Sequence, residues 1–188
     1  MCSSYTISGL MPGGDRAARH SLADRLAACG HAGYDGAWMH FRDYREQRSQ
    51  GLDDDAIRAA FDENGLTLRG VEFLANWFLA DEAARDDLAT CLAAAKAIGA
   101  DVISVGGDFA DTGIGRAAMV RSFRDLCARA GDNGISVALE FVPWSSIPDI
   151  AAARLITAAS RQLGIWKEIT SPARSPRACI ADDSASAC

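Results

Sequence analysis

Histidine and clustered basic residues are scarce in this chain, and their scarcity excludes several functions. The 188 residues include three His, 19 Lys and Arg, and 25 Asp and Glu, for a net charge of −6 at pH 7. A nucleic-acid surface needs clustered Lys and Arg. Arg42, Arg45 and Arg48 lie close together, but Asp43 and Glu46 interleave with them, which favours a solvated loop or helix face. The sequence therefore predicts no nucleic-acid partner.

Long apolar runs and paired cysteines are also missing. No window approaches the length of a transmembrane helix, and residues 1–4 lack the basic and then apolar pattern of a secretory signal, so we expect no membrane association and a cytoplasmic enzyme. The six cysteines contain no C-x-x-C pair, and Cys29, Cys91 and Cys127 fall on apolar helix faces. Such cysteines are typically reduced and act as small hydrophobes. Neither a disulfide framework nor a zinc–thiolate site is predicted.

A repeated βα pattern is the main positive signal. Four times a helical pattern ends at Gly and is followed within a few residues by a strand-like run, because Gly adopts the positive φ that commonly terminates a helix. The strand-like runs cover residues 34–39, 66–74, 102–105 and 135–141. A further opening strand over residues 4–10 would make five βα units. Strands that alternate with amphipathic helices predict an α/β fold with a mainly parallel sheet.

Helix starts and the end of the repeat can also be placed. Asp53 is predicted to cap a helix through Asn64, Asp81 one through Ile98, and Pro148 suits the first turn of a fifth helix. The repeat fails after about Ala159. We therefore expect one domain over residues 1–159 and a divergent, poorly ordered tail over residues 160–188, in which residues 163–166 are the one short strand candidate.

Glu140 is the strongest candidate for a functional residue. It closes an apolar strand, where a carboxylate is costly to hold unless a metal, a cation or a substrate hydroxyl compensates for its lost hydration; a strand-end Glu that points into solvent is the alternative. Side chains alternate along a strand. We assign the small and polar side chains to the barrel lumen, and these are Ser136, Ala138 and Glu140. We assign the large apolar side chains to the helix layer, and these are Val137, Leu139 and Phe141.

Two further ionisable residues occupy similar places at the ends of their own strands. Glu72 has the same relative position in the run from Leu68 to Phe73, and His40 follows Trp38 and Met39, so the three are expected to converge on one rim. For Glu72 the alternative is a polar contact to the following loop with Asn76 and Trp77; for His40 it is a partly exposed strand end. His20 and His31 are expected at the surface. The glycines at 106 and 107, before Asp108, fit either a weak phosphate nest or a tight βα loop.

The run from Val137 to Trp144, followed by Ile147-Pro148-Asp149 and an Ala-rich helix, resembles the fifth βα unit of the xylose-isomerase-like TIM barrels, the sugar phosphate isomerases and epimerases. Residues 33–36 and 100–103 fit the same family. The resemblance implies an incomplete (β/α) barrel, a small sugar or polyol as substrate, and a divalent metal (Mn, Mg or Zn) with Glu140 as its first ligand. We accordingly expect Glu140 and Glu72 to be catalytic and His40 and Trp144 to bind substrate.

The other metal ligands of that family, an Asp with a nearby His, a further His or Gln, and a Glu, have no counterparts in residues 160–188. The expectation is a truncated barrel of about five units that is weakly active or inactive, with a frameshift near Ala159 as one explanation of the tail. A second hypothesis is a non-catalytic module, or half-barrel, that forms a homo-oligomer through its open sheet edges. The related endonucleases acting at abasic DNA would need more His ligands and a basic groove.

Overall fold

The computed structural model describes residues 1–9 and 18–161, which form a four-stranded parallel sheet and seven helices. In chain order the elements are α1 (Ser4–Ser8), α2 (Leu22–His31), β1 (Gly36–His40), α3 (Phe41–Ser49), α4 (Asp54–Asp62), β2 (Leu68–Leu74), α5 (Glu82–Ile98), β3 (Val102–Val105), α6 (Arg116–Gly131), β4 (Ser136–Leu139) and α7 (Ile150–Arg161). The strand order is β1-β2-β3-β4, so each strand pairs in parallel with the next strand along the chain. The predicted α/β class with a parallel sheet is confirmed.

The predicted opening strand over residues 4–10 is wrong. Among residues 1–9, Cys2 alone pairs with the sheet: its N–H donates to the Gly36 carbonyl and its own carbonyl accepts from the Trp38 N–H, both over 2.8 Å. The chain then turns into α1, because the Ser3 hydroxyl caps this short helix by accepting from the Tyr5 N–H over 3.3 Å. A serine at this position offers the backbone an alternative to strand pairing. Leu10, the last residue of that prediction, lies outside the described residues.

The predicted helix caps are confirmed for Asp53 and Asp81. Each carboxylate accepts a hydrogen bond from the backbone N–H three residues later. The donor is Ala56 for Asp53, over 2.8 Å, and Ala84 for Asp81, over 2.7 Å. Pro148 is not in the first turn of α7; it precedes Asp149, whose Oδ1 accepts from the Ala152 N–H over 2.8 Å and caps the helix instead. Within the described ranges, no helix has both the length and the apolarity needed to cross a membrane.

The main hydrophobic core lies between the sheet and its helices. On the sheet the helix-facing side chains are 0–1% exposed, and they are Ala37, Met39, Val71, Ile103 and Val105. They meet equally buried side chains from the helices, among them Leu26, Ile57, Phe61, Ile98 and Phe123. On the opposite face, Leu68 is 53% exposed. The carboxyl ends of the four strands share one edge of the sheet, and the candidate residues lie there.

The boundary of the predicted tail falls at the edge of the described region. Helix α7 continues through the predicted boundary at Ala159 to Arg161 and packs against α6. Residues 162–188, with the strand candidate at 163–166, lie outside the described residues, so the predicted two-part division of the chain stays a prediction.

Candidate functional site

Glu140 is the first residue after β4 and extends the pairing of β4 with β3. Its N–H donates to the Val105 carbonyl over 2.9 Å, and its Oε2 accepts from the Ser104 hydroxyl over 3.3 Å. Its side chain is exposed at the rim of the sheet. The Glu140 carboxylate is therefore held through Oε2, and its exposed position leaves it accessible to a ligand.

The predicted alternation of side chains in β4 holds within the strand itself. Val137 and Leu139 pack against the core, whereas Ala138 is exposed on the other face. Phe141 was expected in the helix layer, but it is 45% exposed. That expectation is wrong because β4 ends at Leu139, and the regular alternation ends with it.

Glu72 is buried in β2 and is bound to the N-terminal segment. It is 7% exposed, and its Oε1 accepts two hydrogen bonds, from the Ser3 hydroxyl over 2.9 Å and from the Ser4 N–H over 2.6 Å. The alternative contact to the following loop is wrong, since Asn76 donates to Asp87 and Trp77 donates to the Gly106 carbonyl.

His40 is the last residue of β1 and the register partner of Glu72. Its Nδ1 accepts a hydrogen bond from the Arg42 N–H over 3.1 Å, so His40 caps α3. The ring stacks on Phe41 at 5.0 Å and meets the Tyr5 ring edge-on at 5.7 Å. Burial, assisted by the Arg42 charge, lowers the His40 pKa to about 4. The imidazole is therefore neutral at neutral pH, and with Nδ1 accepting, Nε2 carries the proton.

A cleft of about 280 Å³ opens beside His40. Its lining includes Tyr5, Arg42, Phe73, Asn76, Asp108 and Phe109. Of the four predicted site residues, this cleft contains only His40. Trp144 lies on the loop after β4 and is 77% exposed, outside the cleft lining, so its predicted contact with substrate stays a prediction.

The glycine-rich loop after β3 is organised by packing and by Asp108. A Cβ on Gly106 would lie 2.1 Å from the Phe73 ring, and one on Gly107 would lie 2.7 Å from the Ser145 hydroxyl. Asp108 accepts from the Thr112 N–H and hydroxyl, both over 2.6 Å, and from the Ala110 N–H. Burial acts to raise the Asp108 pKa, but these hydrogen bonds outweigh it and lower that pKa. The tight-loop interpretation of the glycines thus has direct support.

Tyr5 lines the cleft and has an ionisable group, and the sequence did not indicate it as a site residue. It is 47% exposed, and its pKa is raised by burial and then by the charges of Glu72 and Glu140. Tyr5 lies inside the predicted opening strand; the sequence signal for its helical position is Ser3, a helix cap two residues before it.

The described residues do not by themselves fit a divalent metal. Among residues 1–9 and 18–161, no group of three or more His, Cys, Asp or Glu side chains is arranged to hold a metal ion. Structural and catalytic cations take at least three protein ligands in the usual zinc sites and six or more oxygen ligands for calcium. Glu72 Oε1 and His40 Nδ1 already accept hydrogen bonds, and Glu140, the predicted first ligand, accepts one at Oε2 from Ser104.

Consecutive parallel βα units with polar side chains at the carboxyl ends of the strands define part of an α/β barrel. The family model described as xylose isomerase-like TIM barrel matches residues 26–165, and the chain belongs to this family. No curated protein matches the chain.

Solved structures share the same fold. A xylose isomerase domain containing protein from Salmonella typhimurium has a TM-score of 0.68 at 14% identity, over 84% of this chain and 56% of that one. The probable 3-DHS dehydratase AsbF from Bacillus anthracis gives 0.67 at 13%, over 85% and 58%. The IolI protein with a bound zinc atom gives 0.65 at 16%, over 85% and 58%. The chain thus spans 56–58% of these barrels, and the predicted incomplete barrel is confirmed.

Proposed function

We propose that the chain contributes part of an isomerase or epimerase barrel that acts on a small sugar or polyol, with Glu72 and Glu140 as its catalytic carboxylates. The observation that carries the proposal is the placement of both carboxylates toward the carboxyl ends of strands of one parallel sheet: Glu72 is the register partner of His40, the last residue of β1, and Glu140 directly follows β4. Carboxylates in such positions carry the chemistry of barrel enzymes. On its own the chain is weakly active or inactive.

Each polar residue has a distinct part in the proposed chemistry. Isomerisation or epimerisation moves a proton next to a carbonyl, which requires a base near the carbon and a donor near the oxygen. Glu72, a buried carboxylate, is the base in this proposal. His40 presents a neutral Nε2–H and so donates a hydrogen bond to a sugar oxygen, and Trp144 covers an apolar face of the substrate from the loop after β4.

A divalent metal belongs to the assembled barrel in this proposal. Glu140 would be its first ligand, and the remaining ligands would come from outside the described residues. The metal would polarise hydroxyl and carbonyl oxygens of the sugar. Support comes from the family match and from a structural neighbour, the IolI protein, which binds a zinc atom. Manganese, magnesium and zinc are the candidates.

The test is a titration of the purified chain with Mn²⁺, Mg²⁺ and Zn²⁺, followed by calorimetry. We expect the chain alone to bind these cations only weakly, because its described residues supply too few ligands, and we expect Glu140→Gln to abolish that binding, because Gln keeps the shape of the side chain but removes its charge. Glu72→Gln should reduce sugar binding more than metal binding. Glu63→Gln, at an exposed position beside α4, is the control and should change neither. Equal metal affinity in Glu140→Gln and the parent would refute the assignment.

A second candidate function is a non-catalytic module that pairs with another copy of itself. Among the described residues β4 has a strand on only one side. Large apolar side chains are also exposed in the part of the chain that follows β4: Phe141 at 45%, Trp144 at 77%, Ile150 at 57% and Leu155 at 52%. Unpaired edges and apolar patches of this kind promote association. Light scattering on Ala138→Lys, which places a charge on the exposed face of β4, should then show a monomer where the parent shows a dimer.

A further inference from the structure

We infer that Ser3 is a positioning residue for Glu72: it fixes Oε1 of the buried carboxylate, so that Oε2 is the oxygen presented to a ligand hydroxyl. The inference rests on the proposed function, in which Glu72 faces the substrate. It adds a residue that neither the sequence pattern nor the family match singles out, since Ser3 precedes the matched residues 26–165.

The N-terminal segment is anchored to the sheet immediately before Ser3. Cys2 forms a parallel bridge to Ala37 at the outer edge of β1, with two backbone hydrogen bonds of 2.8 Å. This anchor brings Ser3 and Ser4 to a carboxylate that lies 69 and 68 residues away along the chain. The contact between Ser3 and Glu72 therefore depends on the pairing of the N-terminal segment with β1.

Both donors from this segment bind the same carboxylate oxygen. The Ser3 hydroxyl lies 2.9 Å and the Ser4 N–H 2.6 Å from Glu72 Oε1. An ionised carboxylate offers about four acceptor sites on its two oxygens. No described residue donates to Oε2, so half of the accepting capacity of Glu72 is unused although the residue is only 7% exposed.

The unused oxygen specifies the chemistry of the ligand. A buried carboxylate is costly unless donors compensate for its lost hydration, and hydrogen bonds to an ionised acceptor are stronger than neutral ones. Sugar hydroxyls supply such donors without adding negative charge. A phosphate or carboxylate group next to Oε2 would repel it, so the group that Glu72 contacts is an uncharged polyol segment.

Ser3 has two roles that substitutions separate. Its hydroxyl donates to Glu72 and also accepts from the Tyr5 N–H, which caps α1. Ser3→Ala removes both functions. Ser3→Asp keeps a good capping acceptor but removes the donor and places a like charge beside Glu72. Ser3→Thr retains the hydroxyl and is the conservative rescue.

The experiment measures D-fructose binding to the full chain by calorimetry, with circular dichroism to confirm that each variant is folded. We expect Ser3→Ala to weaken binding about tenfold, by analogy with the low end of the range for hydrogen-bond partners that orient metal ligands. Ser3→Asp should weaken it further, and Ser3→Thr should match the parent. If Ser3→Ala does not fold, the Ser3→Asp and Ser3→Thr pair decides, since both keep the capping oxygen.

The outcomes separate this inference from the proposed function. Equal binding by Glu72→Gln and the parent, or no binding by the parent, overturns the proposed role of Glu72 and the inference with it. Loss of binding in Glu72→Gln with unchanged binding in Ser3→Ala and Ser3→Asp overturns the inference alone. Parent-like binding by Ser3→Asp also overturns it, because the capping role would then be sufficient.

Discussion

The backbone N–H of Arg42 donates a hydrogen bond to Nδ1 of His40 over 3.1 Å, which joins the end of β1 to the first turn of α3. Protonation of Nδ1 would replace this acceptor with a second donor and break the cap. Burial and the Arg42 charge already oppose protonation, and they lower the His40 pKa from 6.5 to about 4. The same contact thus fixes the tautomer that faces the cleft and makes folding sensitive to acid.

We therefore expect His40 to reduce stability as the pH falls from 6.5 to 4. In that window the unfolded chain, with the ordinary His pKa, binds a proton that the folded chain does not, so acid favours unfolding; above pH 6.5 neither state is protonated. The shift corresponds to about 3 kcal/mol of unfolding free energy. Urea unfolding at pH 7 and pH 4.5 measures it. His40→Asn keeps a capping acceptor but does not titrate, so this variant should lose less unfolding free energy between pH 7 and pH 4.5 than the parent does. Equal losses in the two proteins would contradict the prediction.

Arg25 and Asp43 form a buried ion pair between α2 and α3, with Nη1 and Oδ2 2.7 Å apart and side chains 3% and 8% exposed. The two groups are close enough for an ion pair, but their geometry is not that of a hydrogen bond, because neither carboxylate oxygen of Asp43 has a hydrogen-bond donor. Arg25→Met would leave an uncompensated buried charge and should cost about 3–5 kcal/mol of unfolding free energy.

The control for that prediction is an exposed ion pair of the same chemistry. Arg48 lies 3.2 Å from Asp54, with side chains 44% and 50% exposed, and Arg48→Met should cost less than about 1 kcal/mol. The double variant Arg25→Met with Asp43→Leu should recover most of the loss, because it removes both charges. Denaturant unfolding of the set decides; a double variant as unstable as Arg25→Met would show that packing, not charge, dominates there.

Gly36 lets β1 approach β2 closely at the start of their pairing. It is the register partner of Leu68, and a Cβ at Gly36 would lie 1.9 Å from the Leu68 carbonyl oxygen. Gly36→Ser must move backbone, and we expect a loss of at least about 1–3 kcal/mol by denaturant unfolding. The matched Gly115→Ser, where no atom lies within 4 Å of the added Cβ, should be neutral or stabilising as the cap of α6. Similar stability of the two variants would argue against the close approach.

The sequence predicted what depends on neighbouring residues. The end of α5 is recognisable because a Gly follows the helical pattern, and in the structure Gly99 has the positive φ of 69° that terminates a helix. Asp53 and Asp81 are recognisable as helix caps in the same way. Periodicity also separated Val137 and Leu139 from Ala138. These features need only a few consecutive residues, so they appear in the pattern of the chain itself.

The arrangement of the candidate site required the fold. Ser3 binds Glu72 across 69 residues, and nothing local to Glu72 distinguishes this contact from one with the following loop. Tyr5 was placed in a strand because five residues of mixed polarity fit either a short helix or a strand, and the capping hydroxyl of Ser3 decides between them. Long-range contacts of single polar side chains are therefore where sequence prediction fell short.

Completion of the barrel should restore stability and metal binding together. A closed barrel has no sheet edges, and its lumen is filled by side chains from all eight strands; in the described residues β4 has one open side and Trp144 is 77% exposed. The chain alone should self-associate, bind dyes that report exposed apolar surface and show no ketose or aldose turnover with added Mn²⁺.

A chimera with the C-terminal half of a family member in place of residues 160–188 should be monomeric, more stable and able to bind Mn²⁺. The same chimera with Glu140→Gln should keep the gain in stability but lose the metal, which separates closure of the ring from ligation. A chain that is monomeric, cooperatively folded and active by itself would show that its site is assembled from other residues.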